Sequence, residues 1–297
     1  MNSSKNSNTK RSKSLGLGGG INLLSWNIND VTDKILGLKT RTQEFIMQLD
    51  GQQIFCLQET KAEVKIPDYV CRNQLRPDSR SGGLCIGVHR NIAHLVESVD
   101  TSKFPDIMAV RIAKEATDQS KDLILVNIYD SPEASSYKAK KRKQGDIRVT
   151  LDDLSCFLSS FACGTPYLIV GDMNARTGNL AEPPRMDGHT LDNLIDGSFL
   201  HDSYPMTSTR NSEDVTVNER GKTLLDLTAE ADLKILNGST LGDIFGRFTC
   251  MRYNGSSVVD YMMVSKSLAA SIHHFKVLNF IDISDHRLIT CRLVNCR

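Results

Sequence analysis

The chain has 297 residues, 40% of them hydrophobic, and a formal net charge of +1. That is enough apolar material for a sizeable core. The near-neutral balance excludes a global field that would hold the chain on nucleic acid or an acidic membrane, so a nucleic-acid partner needs a local basic patch.

The 8 cysteines (Cys56, Cys71, Cys85, Cys156, Cys163, Cys250, Cys291 and Cys296) form no Cys-x-x-Cys pair. Several sit in strand-like runs, as reduced core thiols of an intracellular protein would. The N-terminus lacks a signal-type apolar segment, and no run is long enough to span a bilayer.

Residues 1–20 are rich in Ser, Asn and Gly and carry Lys5, Lys10, Arg11 and Lys13 without an acid. They read as a flexible tail. Lys10-Arg11-Ser12-Lys13 suits nuclear import, DNA contact or simple solvation. Ile21 to Trp26 reads as a strand ending in Asn27, and Ile35, Leu38, Phe45, Ile46 and Leu49 as a helical stripe. Ile54 to Leu57 is a second buried strand, ending in Gln58-Glu59-Thr60. Joined through a helix, these two strands are expected to be parallel, with Asn27 and Glu59 at one rim.

Strands are expected at 69–73, 82–88, 92–98, 106–113 and 121–128, broken by Gly82-Gly83, Arg90-Asn91 and Phe104-Pro105. The last ends in Tyr129, and the basic run Lys138, Lys140, Lys141, Arg142 and Lys143 follows. This run suits a grip on DNA backbone or a solvated loop. A helix from about Asp146 carries the stripe Ile147, Leu151, Leu154, Leu158 and Phe161. It leads into the strand Tyr167 to Val170 and the sequence Gly171-Asp172-Met173-Asn174-Ala175.

Regularity then lapses through Arg210. A helix is expected around Leu224 to Leu233 and a short strand at Ile235-Leu236. Phe248–Arg252 and Val258–Val264 read as a hairpin turning at Asn254-Gly255, its tip small and polar with no aromatic wedge. Asp260 falls in its second strand. Leu288 to Val294 closes the chain, entered through Ser284-Asp285-His286. With no repeat or linker, residues 21–297 read as one domain.

Asp172 and Asn174 stand two positions apart, so on extended chain they face one pocket. A carboxylate beside an amide suits proton abstraction from water and a hydrogen bond to a substrate oxygen. An Asx turn closing the strand is the plainer reading of that motif. Its company argues for more. Ser25-Trp26-Asn27, Leu57-Gln58-Glu59-Thr60, Asn127-Ile128-Tyr129, Gly171-Asp172-Met173-Asn174-Ala175, Val259-Asp260-Tyr261 and Ser284-Asp285-His286, in this order, resemble the endonuclease/exonuclease/phosphatase family. Deoxyribonuclease I and class II abasic-site endonucleases share that fold. The resemblance covers residues 21 to 294.

Within the family the chain most resembles the endonuclease domain of non-LTR (LINE-type) retrotransposons. The carriers are Asn174-Ala175-Arg176-Thr177-Gly178, Asn218-Glu219-Arg220-Gly221, Leu236-Asn237-Gly238, Gly246-Arg247-Phe248-Thr249 and Asn254-Gly255-Ser256-Ser257-Val258-Val259-Asp260-Tyr261. Asn29 stands where abasic-site enzymes carry an acid. Ser256-Ser257 fill the region of their Trp, and Trp26 is the only tryptophan.

The resemblance implies an α/β fold: a four-layer sandwich of two mixed β-sheets flanked by helices. It implies a Mg²⁺ (Mn²⁺ as substitute) held by Glu59 with Asn27 and Asp285 nearby. Asp172 would be the general base, Asn174 and Tyr129 phosphate contacts, and His286, oriented by Asp260, a donor to a non-bridging oxygen. Thr249 and the basic run would touch duplex DNA. The implied product is a nick with a 3′-hydroxyl, extended in the nucleus by a reverse transcriptase region of the same element. Other phosphoesterases of the fold, abasic-site repair and an inactive nucleic-acid-binding relic are the alternatives.

Overall fold

Apolar runs build two six-stranded sheets packed face to face in the computed structural model, which describes residues 20–76, 81–117, 119–144, 150–183 and 209–294. The first part of the chain holds β1 (Ile21–Asn27), β2 (Thr32–Asp33), β3 (Gly37–Leu38), α1 (Gln43–Gln48), β4 (Ile54–Gln58), β5 (Tyr69–Gln74) and β6 (Leu84–His89). Next come β7 (Val96–Val99), β8 (Ile107–Ile112), α2 (Lys114–Thr117), β9 (Leu123–Tyr129), α3 (Ser136–Lys143), α4 (Thr150–Ser159) and β10 (Tyr167–Asp172). The remainder holds α5 (Glu219–Glu230), β11 (Leu233–Ile235), β12 (Cys250–Arg252), β13 (Gly255–Ser257), β14 (Asp260–Ser265), β15 (Ile272–Val277) and β16 (Ile289–Leu293).

One sheet runs β15-β16-β1-β4-β6-β5 and the other β11-β14-β10-β9-β8-β7. Each is built round a parallel pair, β1 with β4 and β9 with β10. The rest of both sheets is antiparallel.

The alternation of strand side chains puts Ile21, Leu23, Ile54, Cys56, Leu125, Leu168, Val170, Met262 and Val264 in the core between the sheets. Outside the second sheet, α4 and α5 cover Ile124, Val126 and Ile169 with Leu151, Leu154, Leu224 and Leu227. The outer face of the first sheet is covered more thinly, by α1 and loops, where Phe45 stacks on Trp26 at 5.8 Å between ring centroids. The architecture is the expected four-layer α/β sandwich.

Local departures have identifiable causes. The stripe from Ile35 to Leu49 does not form one helix. The Asp33 carboxylate accepts the Ile35 and Leu36 N–H groups at 2.7 and 2.9 Å, closing the β2–β3 hairpin in place of a helical turn. Ile35 is consequently 93% exposed. Thr42 then caps the short α1 through the Phe45 N–H. The strand expected from residue 92 begins with a 3₁₀ turn, Ala93–Leu95.

The expected hairpin is β12 with β13, whereas β14 belongs to the second sheet between β10 and β11. The sequence pattern does not announce β15, because a bulge between Ile272 and His274 breaks its two-residue period. The expected tail, its Lys10-Arg11-Ser12-Lys13 cluster, Ile147 and most of the loop after Asn174 lie outside the described residues.

Candidate active site

Inward-facing rows of both sheets change from apolar to polar at one end. They read Ile21-Leu23-Ser25-Asn27 on β1, Ile54-Cys56-Gln58 on β4, Leu123-Leu125-Asn127-Tyr129 on β9, Leu168-Val170-Asp172 on β10 and Val264-Met262-Asp260 on the antiparallel β14. Strand register sets Tyr129, Asp172 and Asp260 side by side on three neighbouring strands. Gly171 permits the close approach of β9 and β10. Its φ is +142°, and a Cβ there would lie 1.9 Å from the Ile128 carbonyl oxygen. The chain turns only afterwards, at Asn174, with φ +45°.

Below this rim a buried polar layer joins the sheets. Gln58 Nε2 donates to Ser25 Oγ (3.0 Å) and Asn127 Oδ1 (2.7 Å), while Asn127 Nδ2 donates to the Leu57 and Cys85 carbonyls. At the rim itself, Asn27 Nδ2 donates to Asp172 Oδ2 (2.8 Å) and Glu59 Oε1 (3.0 Å), and Asn27 Oδ1 accepts the Asn29 N–H. Glu59 turns towards the site from a backbone with φ +53°.

The Asp172–Asn174 motif forms an Asx turn, since Asp172 Oδ1 accepts the Asn174 N–H at 2.9 Å. The turn is also part of the site. Asn174 Nδ2 donates to the Asp130 carbonyl, and Asn174 lines a cavity of about 280 Å³ with Arg176, Cys250, Arg252 and His286.

His286 is 1% exposed and Asp260 3%. The His286 Nδ1 atom meets both Asp260 carboxylate oxygens, at 2.8 and 3.0 Å, and Nε2 has no hydrogen-bond partner among the described residues. A buried polar atom left open in this way is aimed at something the fold does not supply. Trp26 Nε1 donates to the His286 carbonyl, and Ser284 Oγ donates to the Asn27 carbonyl while accepting the His286 N–H.

The structure brings Asn27, Glu59, Tyr129, Asp172, Asn174, Asp260, Asp285 and His286 to one end of the sandwich. Thr249 is not a surface contact. It is fully buried, and its hydroxyl accepts the Val259 and Asp260 N–H groups at 3.0 Å each, fixing the start of β14. Asn237 holds the same strand, donating to the Asp260 carbonyl and accepting the Met262 N–H.

The basic run is helix α3 rather than a loop, and it divides. Lys138 Nζ lies 2.6 Å from the buried Asp130 carboxylate, which also accepts from Thr150 and faces Arg220. Arg142 pairs with Glu133. Lys140 and Lys143 are exposed.

Three basic residues that the sequence does not single out, Arg252, Lys61 and Arg76, join the rim. Arg252 Nε holds Asp285 Oδ2 at 2.6 Å, and Asn29 Nδ2 donates to Asp285 Oδ1. Lys61 donates to Asn29 and lies 3.8 Å from Glu59. Arg76 stacks 3.7 Å from the Tyr137 centroid and 5.1 Å from that of Tyr129, and is paired to Asp106. Lone basic residues carry no sequence signal of this kind.

Burial raises the Asp172 carboxyl, and the neighbouring Asp260 charge raises it further, against the opposing pull of His286. Burial alone would lower the His286 imidazole. The Asp260 charge and hydrogen bond, aided by the Cys250 thiol and Asp172, outweigh that and hold it well above the ordinary histidine value. Tyr129 is raised by burial, then by the charges of Glu59 and Asp172. Asp285 is lowered: burial opposes this, but His286 and Arg252 prevail.

A hard cation fits the oxygen donors at the rim. Glu59 and Asp285 keep 14% and 24% of their side-chain surface exposed, which suits an ion that retains waters. Asn27 Nδ2 is committed to the two carboxylates, so its amide oxygen, which also accepts the Asn29 N–H, is the atom it can offer a cation. Among the described residues, Glu59 belongs to neither close group of three ligand atoms, Cys250/Asp285/His286 or Asp172/Asp260/His286.

Similarity to solved structures defines the fold. The endonuclease domain of TRAS1, a telomere-specific non-LTR retrotransposon, superposes with a TM-score of 0.56 at 14% identity, covering 93% of this chain and 98% of that one. The AP endonuclease LMAP from Leishmania major gives 0.62 at 12% identity, covering 93% and 88%. The 3′ phosphatase NExo from Neisseria, bound to product DNA hairpin, gives 0.57 at 14% identity, covering 92% and 99%. The chain has the deoxyribonuclease I-like fold. No family model matches its sequence. No curated protein matches it either.

Proposed function

We propose that residues 21–297 form a divalent-cation-dependent endonuclease that nicks duplex DNA and leaves a 3′-hydroxyl. The observation that carries this reading is the buried Asp260–His286 pair, which clusters with Asp172, itself tied through Asn27 to Glu59. A base, a proton donor and a carboxylate for a cation thus share one rim.

Glu59, with Asp285 and the Asn27 amide oxygen, would hold Mg²⁺, or Mn²⁺ in its place, which when bound neutralises charge on the phosphoryl group. Asp172 takes a proton from water, and the water oxygen attacks phosphorus. The P–O3′ bond breaks, and the departing oxygen takes a proton from solvent to become the 3′-hydroxyl. Asn27 and the Asn174 N–H fix the two Asp172 oxygens. His286, held cationic by Asp260, donates from Nε2 to a non-bridging oxygen, with Tyr129 and Asn174 as further phosphate contacts.

Retrotransposition is the setting we favour. The blocks at Arg176 and Asn218 form one joint, in which the Arg176 N–H meets Asn218 Oδ1 and Gly221 admits the Arg176 carbonyl. Nuclear action and extension of the nick by a reverse transcriptase belong to the same proposal. Among the described residues no helix is long and apolar enough to cross a membrane.

The test is nicking of supercoiled plasmid with Mg²⁺ and with EDTA, alongside Glu59→Ala. Cation-dependent nicking by the wild type, lost in a folded Glu59→Ala protein, is expected. Full activity of that variant overturns the assignment of Glu59.

A further inference from the structure

Cys250 has no part in the chemistry above, yet its thiol lies at the catalytic histidine. Cys250, Asp285 and His286 each offer a ligand atom within 4.8 Å of those of the other two, and His286 Nε2 lies 3.9 Å from Asp285 Oδ1. The backbones of Cys250 and His286 are joined by an isolated β-bridge, so the pairing is part of the fold. Both side chains line the same cavity of about 280 Å³, which provides an entry path.

We propose that these three atoms form a soft-cation site that takes Zn²⁺ and thereby blocks His286. Three features support it. The donors are a thiol, an imidazole and a carboxylate, a set that favours Zn²⁺ over Mg²⁺. Nε2 is buried and has no hydrogen-bond partner among the described residues, while the other ring nitrogen is fixed by Asp260, the carboxylate–histidine arrangement that directs an imidazole lone pair at a metal. Three protein ligands leave a fourth tetrahedral position for water or a phosphate oxygen.

Zn–N and Zn–S bonds of about 2.0–2.3 Å place ligand atoms roughly 3.5 Å apart, so side-chain shifts of about 1 Å close the site. On binding, Cys250 and the cationic His286 each give a proton to solvent, the thiol to form the S–Zn bond and Nε2 to free the lone pair that it supplies. Asp285 supplies an oxygen already shared with Asn29. In the alternative group, Asp172/Asp260/His286, the Asp172 oxygens are already met by Asn27 and Asn174 and the Asp260 oxygens by His286 Nδ1, and no thiol is present.

The site is distinct from the Glu59 cation site but shares Asp285 with it. Zinc binding stands independently of the proposed reaction, whereas inhibition of nicking rests on it. The decisive experiment uses the full chain with exposed Cys156 and Cys163 replaced by serine.

Cobalt as a spectroscopic substitute is expected to give a thiolate-to-metal charge-transfer band, lost on adding Cys250→Ser. In competition with a chromophoric chelator, Zn²⁺ affinity is expected to fall by about tenfold or more in that variant. Zn²⁺ is also expected to slow alkylation of Cys250 in the otherwise unaltered site by about tenfold, read by mass spectrometry, with Mg²⁺ ineffective. That reading holds even if the Cys250 variant misfolds.

A cobalt band that survives Cys250→Ser, or unchanged alkylation of Cys250 in Zn²⁺, overturns the proposal. Failure to nick plasmid in zinc-free Mg²⁺ would overturn the endonuclease reading and leave this site standing.

Discussion

Asn27 and Asp172 belong to different sheets, and their side chains meet at 2.8 Å. The same Asn27 nitrogen reaches Glu59 at 3.0 Å, so one amide connects the proposed base to the proposed cation ligand. Asn27→Ala removes both donations and leaves a buried carboxylate short of a partner, at a cost of about 1–3 kcal/mol in stability. Turnover is expected to fall by about 10²-fold or more, the scale of losing one preorganised donor. Urea unfolding and single-turnover nicking measure the two losses. A stability loss with unchanged turnover would reduce Asn27 to a structural tie.

Asp260 and His286 are expected to behave as a unit. Asp260→Asn removes the charge that holds the imidazole cationic but leaves the rim carboxylates in place, so turnover falls far more than cation affinity. His286→Ala costs at least as much. The double variant should cost little more than the worse single one, because both remove the same donor. Additive losses in the cycle would separate their roles.

The strand framework and most of the site were legible because β1, β4, β9 and β10 are apolar runs ending in polar residues. Their parallel order puts those ends together. What stayed hidden is what tertiary contact decides. The bulge in β15 erased its period, and Asp33 overrode the helical stripe at Ile35. Thr249 reads in sequence like a surface hydroxyl, yet two N–H groups of the β14 entry claim it. Lys138 reads as one more cation until Asp130 is placed beneath it.

That division of the basic run gives a third expectation. Lys138 is 12% exposed in its side chain and faces an Asp130 carboxylate with none exposed. Lys138→Met is therefore expected to destabilise by about 3 kcal/mol by leaving a buried charge less compensated. Lys140→Ala with Lys143→Ala should stay within about 0.5 kcal/mol of wild type. If α3 lies along DNA, the same pair lowers the salt slope of binding by about one for each phosphate no longer neutralised. A Lys138→Met protein as stable as the double alanine variant would contradict the buried pair.

The metal-free protein should lose stability as pH rises. His286 has a folded-state pKa raised above the unfolded value near 6.5, so its contribution is complete below that value and lost as pH climbs through the folded pKa. Asp172 is also raised, so the folded state again binds its proton more tightly and loses that advantage on the alkaline side. Both signs agree. Chemical unfolding in EDTA from about pH 6 to about pH 9 should show a decline, smaller in His286→Gln. A wild-type curve flat across that window, or an equal decline in the variant, would mean that His286 is not held cationic.

The last expectation concerns the β12–β13 hairpin, whose tip the sequence suggested to be small and polar. Register pairs Arg252 with Gly255, so Tyr253 and Asn254 make the turn, and Tyr253 projects fully exposed. Its neighbours Arg252, Asn254 and Ser256 line the cavity that His286 also lines. With duplex DNA seated on that cavity as proposed, an exposed ring on a short ribbon is suited to press against or between bases, at a cost that depends on how readily the step unstacks. Tyr253→Ala should therefore leave the fold and the cation requirement intact while redistributing nicks on a plasmid away from pyrimidine–purine steps. Tyr253→Phe, which keeps the ring, should preserve the wild-type pattern. Mapping nicks at nucleotide resolution for all three proteins decides the matter, and identical maps for Tyr253→Ala and wild type would leave the ring without a role in site choice.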